Sequence, residues 1–293
     1  MRGMLALMIV VGLAGCSTPK PSTLDPEIKL FAESASGAYQ RGEVNRADGL
    51  YQKALQRARL IDAQSEIVRN AYNLALCRLL EGKLTEANSL LKQASALSGD
   101  KGLEYSRILL AEAEVARLSG NLSESQQLAR EAVVAGVDRE GRMHALLLQG
   151  EAEFGSGRVR NAVDFYKEAR SLVTARTSAL LGARLDELAI RLTQAKLLTA
   201  DEAGLQVSRA EWLKEAGQFK LMVVALECAA ERYEKDSRWS DAYPCRIRAA
   251  QSLFAAGNRD QALSMLRKAA ELSERTGNAK DKAMVTGLVA DFK

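Results

Sequence analysis

Cys16 is the side chain best placed for chemistry in this sequence. It closes the tetrapeptide Leu13-Ala14-Gly15-Cys16, at the end of an apolar run from Met4 to Ala14 that begins just after the cationic Arg2. A basic start, a short apolar stretch and small residues ahead of a cleavage point are the parts of an export signal. The residue exposed by such a cleavage would carry a thiol, and the thiolate is a strong nucleophile. The run is too short to span a bilayer, which needs ~20 predominantly apolar residues. Polar, proline-containing sequence begins at once with Ser17-Thr18-Pro19. The competing reading is a secretory signal or an N-terminal anchor helix in which Cys16 is incidental.

Elsewhere reactive groups are sparse. The one histidine, His144, cannot form a histidine cluster. Gly155-Ser156-Gly157 lacks the next glycine of a dinucleotide fingerprint, and neither a phosphate-cradling Gly/Lys loop nor a Gly-x-Ser-x-Gly elbow occurs. The sequence therefore predicts no enzyme, no cofactor and no metal site. Cys77, Cys228 and Cys245 sit among apolar or alanine neighbours and read as core thiols, with Cys228 and Cys245 the one candidate disulfide pair.

The Cys16 tetrapeptide resembles the lipobox of bacterial lipoproteins. The resemblance implies a diacylglyceryl thioether and an N-acyl chain on Cys16, and more than one acyl chain gives stable attachment where a single chain holds only marginally. It divides the chain into a signal peptide, 1–15, and an acylated cysteine with a proline-rich tether, 16–26, ahead of a helical region, 27–293. Under the enterobacterial sorting rule, Ser17 after the cysteine implies an outer-membrane destination facing the periplasm.

Composition narrows the function further. Loss of residues 1–15 removes only Arg2 from the charge count, so 41 Lys and Arg become 40 against 37 Asp and Glu. A near-balanced chain is not the electrostatic footprint of a nucleic-acid binder, and no nucleic-acid partner is expected. Three of the four prolines, Pro19, Pro21 and Pro26, precede the first helical pattern. An alanine-, leucine- and charge-rich remainder reads as all-helical.

The elements that carry any binding surface are legible as a repeat. Gly42, Gly82, Gly120, Gly157, Gly217 and Gly257 recur, each at the end of one amphipathic pattern and the start of another. Twelve residues after each glycine stands Ala54, Ala94, Ala132, Ala169, Ala229 or Ala269. Seven before stands Ala35, Ala75, Ala113, Gly150, Ala210 or Ala250. Nine after, Tyr51, Leu91, Ala129, Tyr166, Leu226 and Leu266 offer mostly large residues to fill a groove. Stacked helical hairpins with glycine stopping the first helix produce this pattern. It resembles the tetratricopeptide (TPR) repeat, most clearly in Gly42-Glu43, Ala47, Tyr51, Lys53, Ala54 and Leu55, over about residues 27–276. The resemblance implies an all-α, TPR-like solenoid of about six repeats. The period exceeds the family's ~34 residues, so longer helices are expected. Thr177–Leu198 reads as an extra long helix between repeats four and five, and Ala279–Phe292 as a C-terminal cap.

TPR proteins commonly hold partners on the concave face, built from one side of each first helix. Counting from the glycines places Tyr39, Arg69, Tyr72, Leu76, Leu79, Arg107, Leu110, Arg117, His144, Leu147, Glu151, Phe154, Lys214, Ile247 and Phe254 on that face. An apolar middle with charged edges suits an amphipathic segment of another protein. The same stripe also reads as core, since apolar helical stripes are usually buried. Trp212 and Trp239 read as packing anchors or as interface hot spots. The sequence thus predicts a lipid-anchored periplasmic adaptor for other envelope proteins, in assembly, secretion or pilus formation, or wall synthesis. The alternative is a carrier of small apolar ligands such as lipids, using Tyr72, Leu76, Leu110, Leu147 and Phe154.

Overall fold

The computed structural model describes residues 25–99 and 102–291. The expected signal segment and Cys16 lie outside the described residues. Among these, the chain forms fourteen α-helices and no strand. They are α1 (Pro26–Gln40), α2 (Val44–Leu60), α3 (Gln64–Leu80), α4 (Leu84–Leu97), α5 (Leu103–Leu118), α6 (Leu122–Gly136), α7 (Arg139–Gly155) and α8 (Val159–Ser171). There follow α9 (Ala179–Gln194), α10 (Glu202–Glu215), α11 (Phe219–Lys235), α12 (Trp239–Ala255), α13 (Arg259–Arg275) and α14 (Ala279–Asp291). The chain divides into two compact units, one ending at Thr174 and one beginning at Ala175. Each is a stack of TPR-like antiparallel hairpins, α1–α8 in the first and α9–α14 in the second.

Local signals start and stop these helices. Asp25 caps α1 by accepting from the Glu27 and Ile28 amides at 2.9 and 3.3 Å, with Pro26 preset for the first turn. The six repeat glycines all take left-handed φ, from +70° at Gly217 to +84° at Gly120. The following amide then reaches back into the helix, as Lys83 N does to Arg78 O at 2.8 Å and Gln218 N to Leu213 O at 2.7 Å. Three more turns use the same bond without glycine. Asp62, Lys196 and Ser237 stand at φ +52°, +60° and +57°, and Ala63 N and Arg238 N return to Ala58 O and Tyr233 O. Where both kinds of turn alternate, the true unit is a 17-residue helix plus a short turn, as in α2, α3 and α11–α13.

The small-residue register packs as expected. Ala54, Ala94, Ala132, Ala169, Ala229 and Ala269 are all 0 % exposed, as are Leu91, Leu226 and Leu266. Alanine lets helix backbones approach, and each buried leucine contributes about 1.5–3 kcal/mol. The segment expected as a long helix over Thr177–Leu198 is α9, which runs only from Ala179 to Gln194, 16 residues, and packs on α10 in the second unit. A Cβ on its Gly182 would stand 2.5 Å from Trp212 Cδ2, so the bare glycine seats the indole and Trp212 is a packing anchor. Trp239 faces the Arg275 guanidinium, 5.0 Å from the ring centre, and ties the start of α12 to the end of α13. Cys228 and Cys245 do not pair. Cys245 is buried with Sγ 3.3 Å from Asp241 O, while Cys228 is a free exposed thiol.

Candidate partner-binding surface

Helix packing decides which face of each hairpin is available. The apolar middle of the predicted face is core in the first unit. Tyr72, Leu76 and Leu79 are buried in one cluster with Tyr51, Cys77 and Leu91, and Leu110 is buried with Ala113, Ala129 and Leu148. Leu147 and, in the second unit, Ile247 are buried as well. These residues therefore do not line an open groove, and the carrier surface built on Tyr72, Leu76 and Leu110 is a packed interior. Burial has a chemical mark here too: it pushes the Tyr72 phenol and the Cys77 thiol up to about 12. Tyr39 is half-buried against the same cluster, and burial raises its phenol further.

The charged edges of that face bind within the chain. Arg69 reaches Glu66 at 2.7 Å, Arg107 reaches Asp138 at 3.2 Å, and Arg117 bridges Glu114 at 2.5 Å and Glu151 at 3.4 Å. His144, expected on the open concave face, is instead buried with Nε2 3.7 Å from Glu114 Oε2. Phe154 is half-buried. In sequence these residues look like a charged rim because their offsets are right. Their partners lie on the neighbouring turn or helix, which offsets alone do not reveal.

Two other carboxylates have strongly altered acidity. Glu153 in α7 takes bonds from Arg158 Nε at 2.6 Å, Asn161 Nδ2 at 3.0 Å and Gln126 Nε2, joining α6, α7 and α8. The Arg158 bond leads these in holding its carboxyl down at about 2. Glu112 in α5 has the opposite environment. It is 8 % exposed, Oε1 has no hydrogen-bond partner, and burial raises its carboxyl to about 7 against a partial pull from Lys92. One is a structural clamp and the other a strained burial. Among the described residues no group of three or more His, Cys, Asp or Glu is placed to hold a metal.

An open apolar surface does occur in the second unit, around Phe219. This ring is 55 % exposed at the first position of α11. It stands between two adjoining hollows of about 420 and 440 Å³, which share Phe219, Ser252 and Ala256. Val223, Val224, Leu253 and Met265 line one side. Met222 and Ala255 line the other, with Lys214 and Arg248 beside them and no carboxylate in its lining. Lys220 borders the first hollow opposite Glu227. Arg248 is braced by Glu211 Oε1 at 2.5 Å. Of the predicted face, Lys214 is brought to this cleft and Phe254 is exposed on the same helix, α12, that supplies Arg248 and Ala255.

Sequence reasoning missed Phe219, and a signal for it exists. The residue two past each repeat glycine is Val44, Leu84, Leu122, Val159, Phe219 and Arg259. In the first unit Leu122 settles against Gly155, where a Cβ would come within 2.5 Å of Leu122 Cδ1. Ala255 occupies the place equivalent to Gly155, and the ring above it is larger. An oversized aromatic opposite a filled position stays outside.

No family model matches the chain, and no curated protein matches it. Solved structures do. A tetratricopeptide repeat protein from Parabacteroides merdae has a TM-score of 0.45 at 14 % identity, covering 92 % of this chain and 99 % of that one. The TPR-like repeats of a putative kinesin light chain from Podospora anserina have a TM-score of 0.44 at 17 % identity, covering 73 % and 99 %. The apo form of RapI has a TM-score of 0.44 at 8 % identity, covering 91 % and 97 %. Among the described residues no helix is long and apolar enough to cross a membrane.

Proposed function

We propose that this chain is a lipid-anchored adaptor of a bacterial cell envelope, held at the outer membrane by acyl groups on Cys16 and displaying its helical units to the periplasm. Repeat stacks offer extended surfaces without chemistry, and tethering raises the local concentration of whatever they meet. The export signal ending at Cys16 supports the location. The observation that carries the binding role is the Phe219 cleft, an exposed aromatic between two hollows with cations at its rim. Its chemistry suits an acidic amphipathic segment of another envelope protein. An apolar side chain would enter beside Phe219, and a carboxylate would meet Lys214.

The test places a photoreactive amino acid at Phe219 in the full-length protein in living cells. A discrete crosslinked envelope protein is expected, and Lys214→Glu should weaken that crosslink while leaving the thermal melt unchanged. A crosslink pattern indifferent to Lys214→Glu, or no crosslink at all, refutes the cleft. The anchor is tested separately: Cys16→Ala should abolish labelling by palmitate, and labelling that persists refutes acylation at Cys16.

A further inference from the structure

The first unit keeps its exposed apolar residues on one edge. Six large aliphatic side chains are exposed there: Leu30, Leu60, Ile61, Leu103, Val133 and Val134, with Leu60 at 79 % and Val134 at 89 %. Each lies near the start of an odd-numbered helix or the end of an even-numbered one. Hydrogen bonds fix those ends side by side. Arg57 at the end of α2 binds Asp25 ahead of α1 at 2.8 Å, Arg59 binds Gln93 of α4, and Gln64 of α3 binds Leu97 O at 2.9 Å. Further along, Gly102 N binds Ala135 O at 2.9 Å, and Arg139 of α7 binds Leu172 O at 2.9 Å. The opposite edge is built from the turns Arg41-Gly42-Glu43, Glu81-Gly82-Lys83, Ser119-Gly120-Asn121 and Ser156-Gly157-Arg158, and the aliphatic residues beside them, such as Leu80, Leu84, Leu118 and Leu122, are half-buried. Singly scattered surface aliphatics need no explanation, but segregation to one edge does.

The chain enters the first unit at that same edge. Asp25 is seated there by Arg57, and Cys16 lies nine residues earlier in the sequence, a reach of roughly 30 Å at ~3.1 Å per residue. An acyl group on Cys16 is therefore held on a tether that leaves from the apolar edge, which lies nearer to the attachment than the polar one. We propose that this edge rests in the bilayer interface, with Leu60, Ile61, Leu103 and Val134 entering the boundary between headgroups and acyl chains. The inference rests on the anchored reading above. Of the charges at this edge, Arg57 pairs with Asp25 and Arg107 with Asp138, while Arg59 and Arg139 are held by the neutral Gln93 side chain and Leu172 carbonyl, and the aliphatic side chains carry the contact. The bilayer thus sets orientation as well as position: the glycine turns of the first unit point away from the membrane.

The test uses residues 17–293 with an N-terminal hexahistidine on phosphatidylcholine vesicles containing a nickel-chelating lipid, so attachment does not depend on acylation. In a Cys228→Ser background, an environment-sensitive fluorophore is placed at Leu60→Cys, Val134→Cys or Ser119→Cys, the last on the polar edge. Probes at 60 and 134 should shift to the blue on vesicles, be quenched by spin-labelled lipid and ignore added salt, while the probe at 119 stays water-like. If all three stay water-like, the edge does not touch lipid. If probes at 60 and 134 are shielded without vesicles in a concentration-dependent way, a second copy covers the edge and the proposal is overturned. Mass spectrometry of Cys16 in the native chain tests the anchor alone, so failure of either reading leaves the other decided.

Discussion

Replacing Glu112 by glutamine should stabilise the protein at alkaline pH and do nothing at acid pH. The carboxyl is buried in α5 with an unpartnered Oε1, and its pKa rises from 4.5 to about 7. A raised folded-state pKa means that folding takes up a proton between those values, so the stability is complete below pH 4.5 and is lost as pH rises through about 7. At about 1.4 kcal/mol per tenfold change in proton affinity, the penalty above that range has an upper figure of roughly 3 kcal/mol. Water reaching the remaining exposed surface reduces the realised value to about 1–2 kcal/mol. Glutamine keeps the shape and removes the charge. Urea unfolding of residues 17–293 and of their Glu112→Gln variant, followed by far-ultraviolet circular dichroism, should give coincident curves at pH 4. At pH 8 the variant midpoint should be higher by that free energy. Because the overall charge of the chain changes alike in both proteins, the difference isolates Glu112. An equal shift at both pH values would mean that glutamine merely packs better. No shift at pH 8 would refute the strained burial.

Glu153 should behave with the opposite sign. Its pKa is lowered to about 2, so its contribution is present above pH 4.5 and is lost as pH falls through about 2. Glu153→Gln should cost about 2 kcal/mol at pH 7 in urea melts, shrinking toward zero as pH falls through about 2. Ser237 holds a left-handed φ of +57° without glycine. Ser237→Gly should raise stability by about 0.5–1 kcal/mol, read as a higher melting temperature of the second unit by fluorescence of Trp212 and Trp239.

Much of the fold was legible because its determinants are local. Glycine at left-handed turns, and alanine at fixed distances from it, specify hairpins whatever lies further along the chain. The half-period was partly hidden because Asp62, Lys196 and Ser237 make the same turn with ordinary residues, while the left-handed Gly99, Gly136 and Gly277 fall at uneven distances from the repeat glycines. The candidate site was less legible. Whether Leu76 or Leu110 faces a partner or a neighbouring helix depends on how hairpins stack, and an apolar stripe looks the same in either case. Of the rim charges, Arg69 and Arg117 are answered by Glu66 and Glu114 one turn earlier, a spacing visible in the sequence, while Arg107 is answered by Asp138 ahead of the next hairpin, which is not. Phe219 escaped because its significance lies in the mismatch with Ala255, a relation between two positions of adjacent hairpins.

The bonds that fix the edge of the first unit share one property. Asp25 with Arg57, Arg59 with Gln93, Gln64 with Leu97, Arg107 with Asp138 and Arg139 with Leu172 are separated by 32, 34, 33, 31 and 33 residues. Each is complete as soon as one further hairpin has appeared, and contacts of such short separation close fast. A chain that emerges N-terminus first can therefore fold hairpin by hairpin as it appears. Finished structure forms while the rest is still unfolded, and little of the core stays exposed.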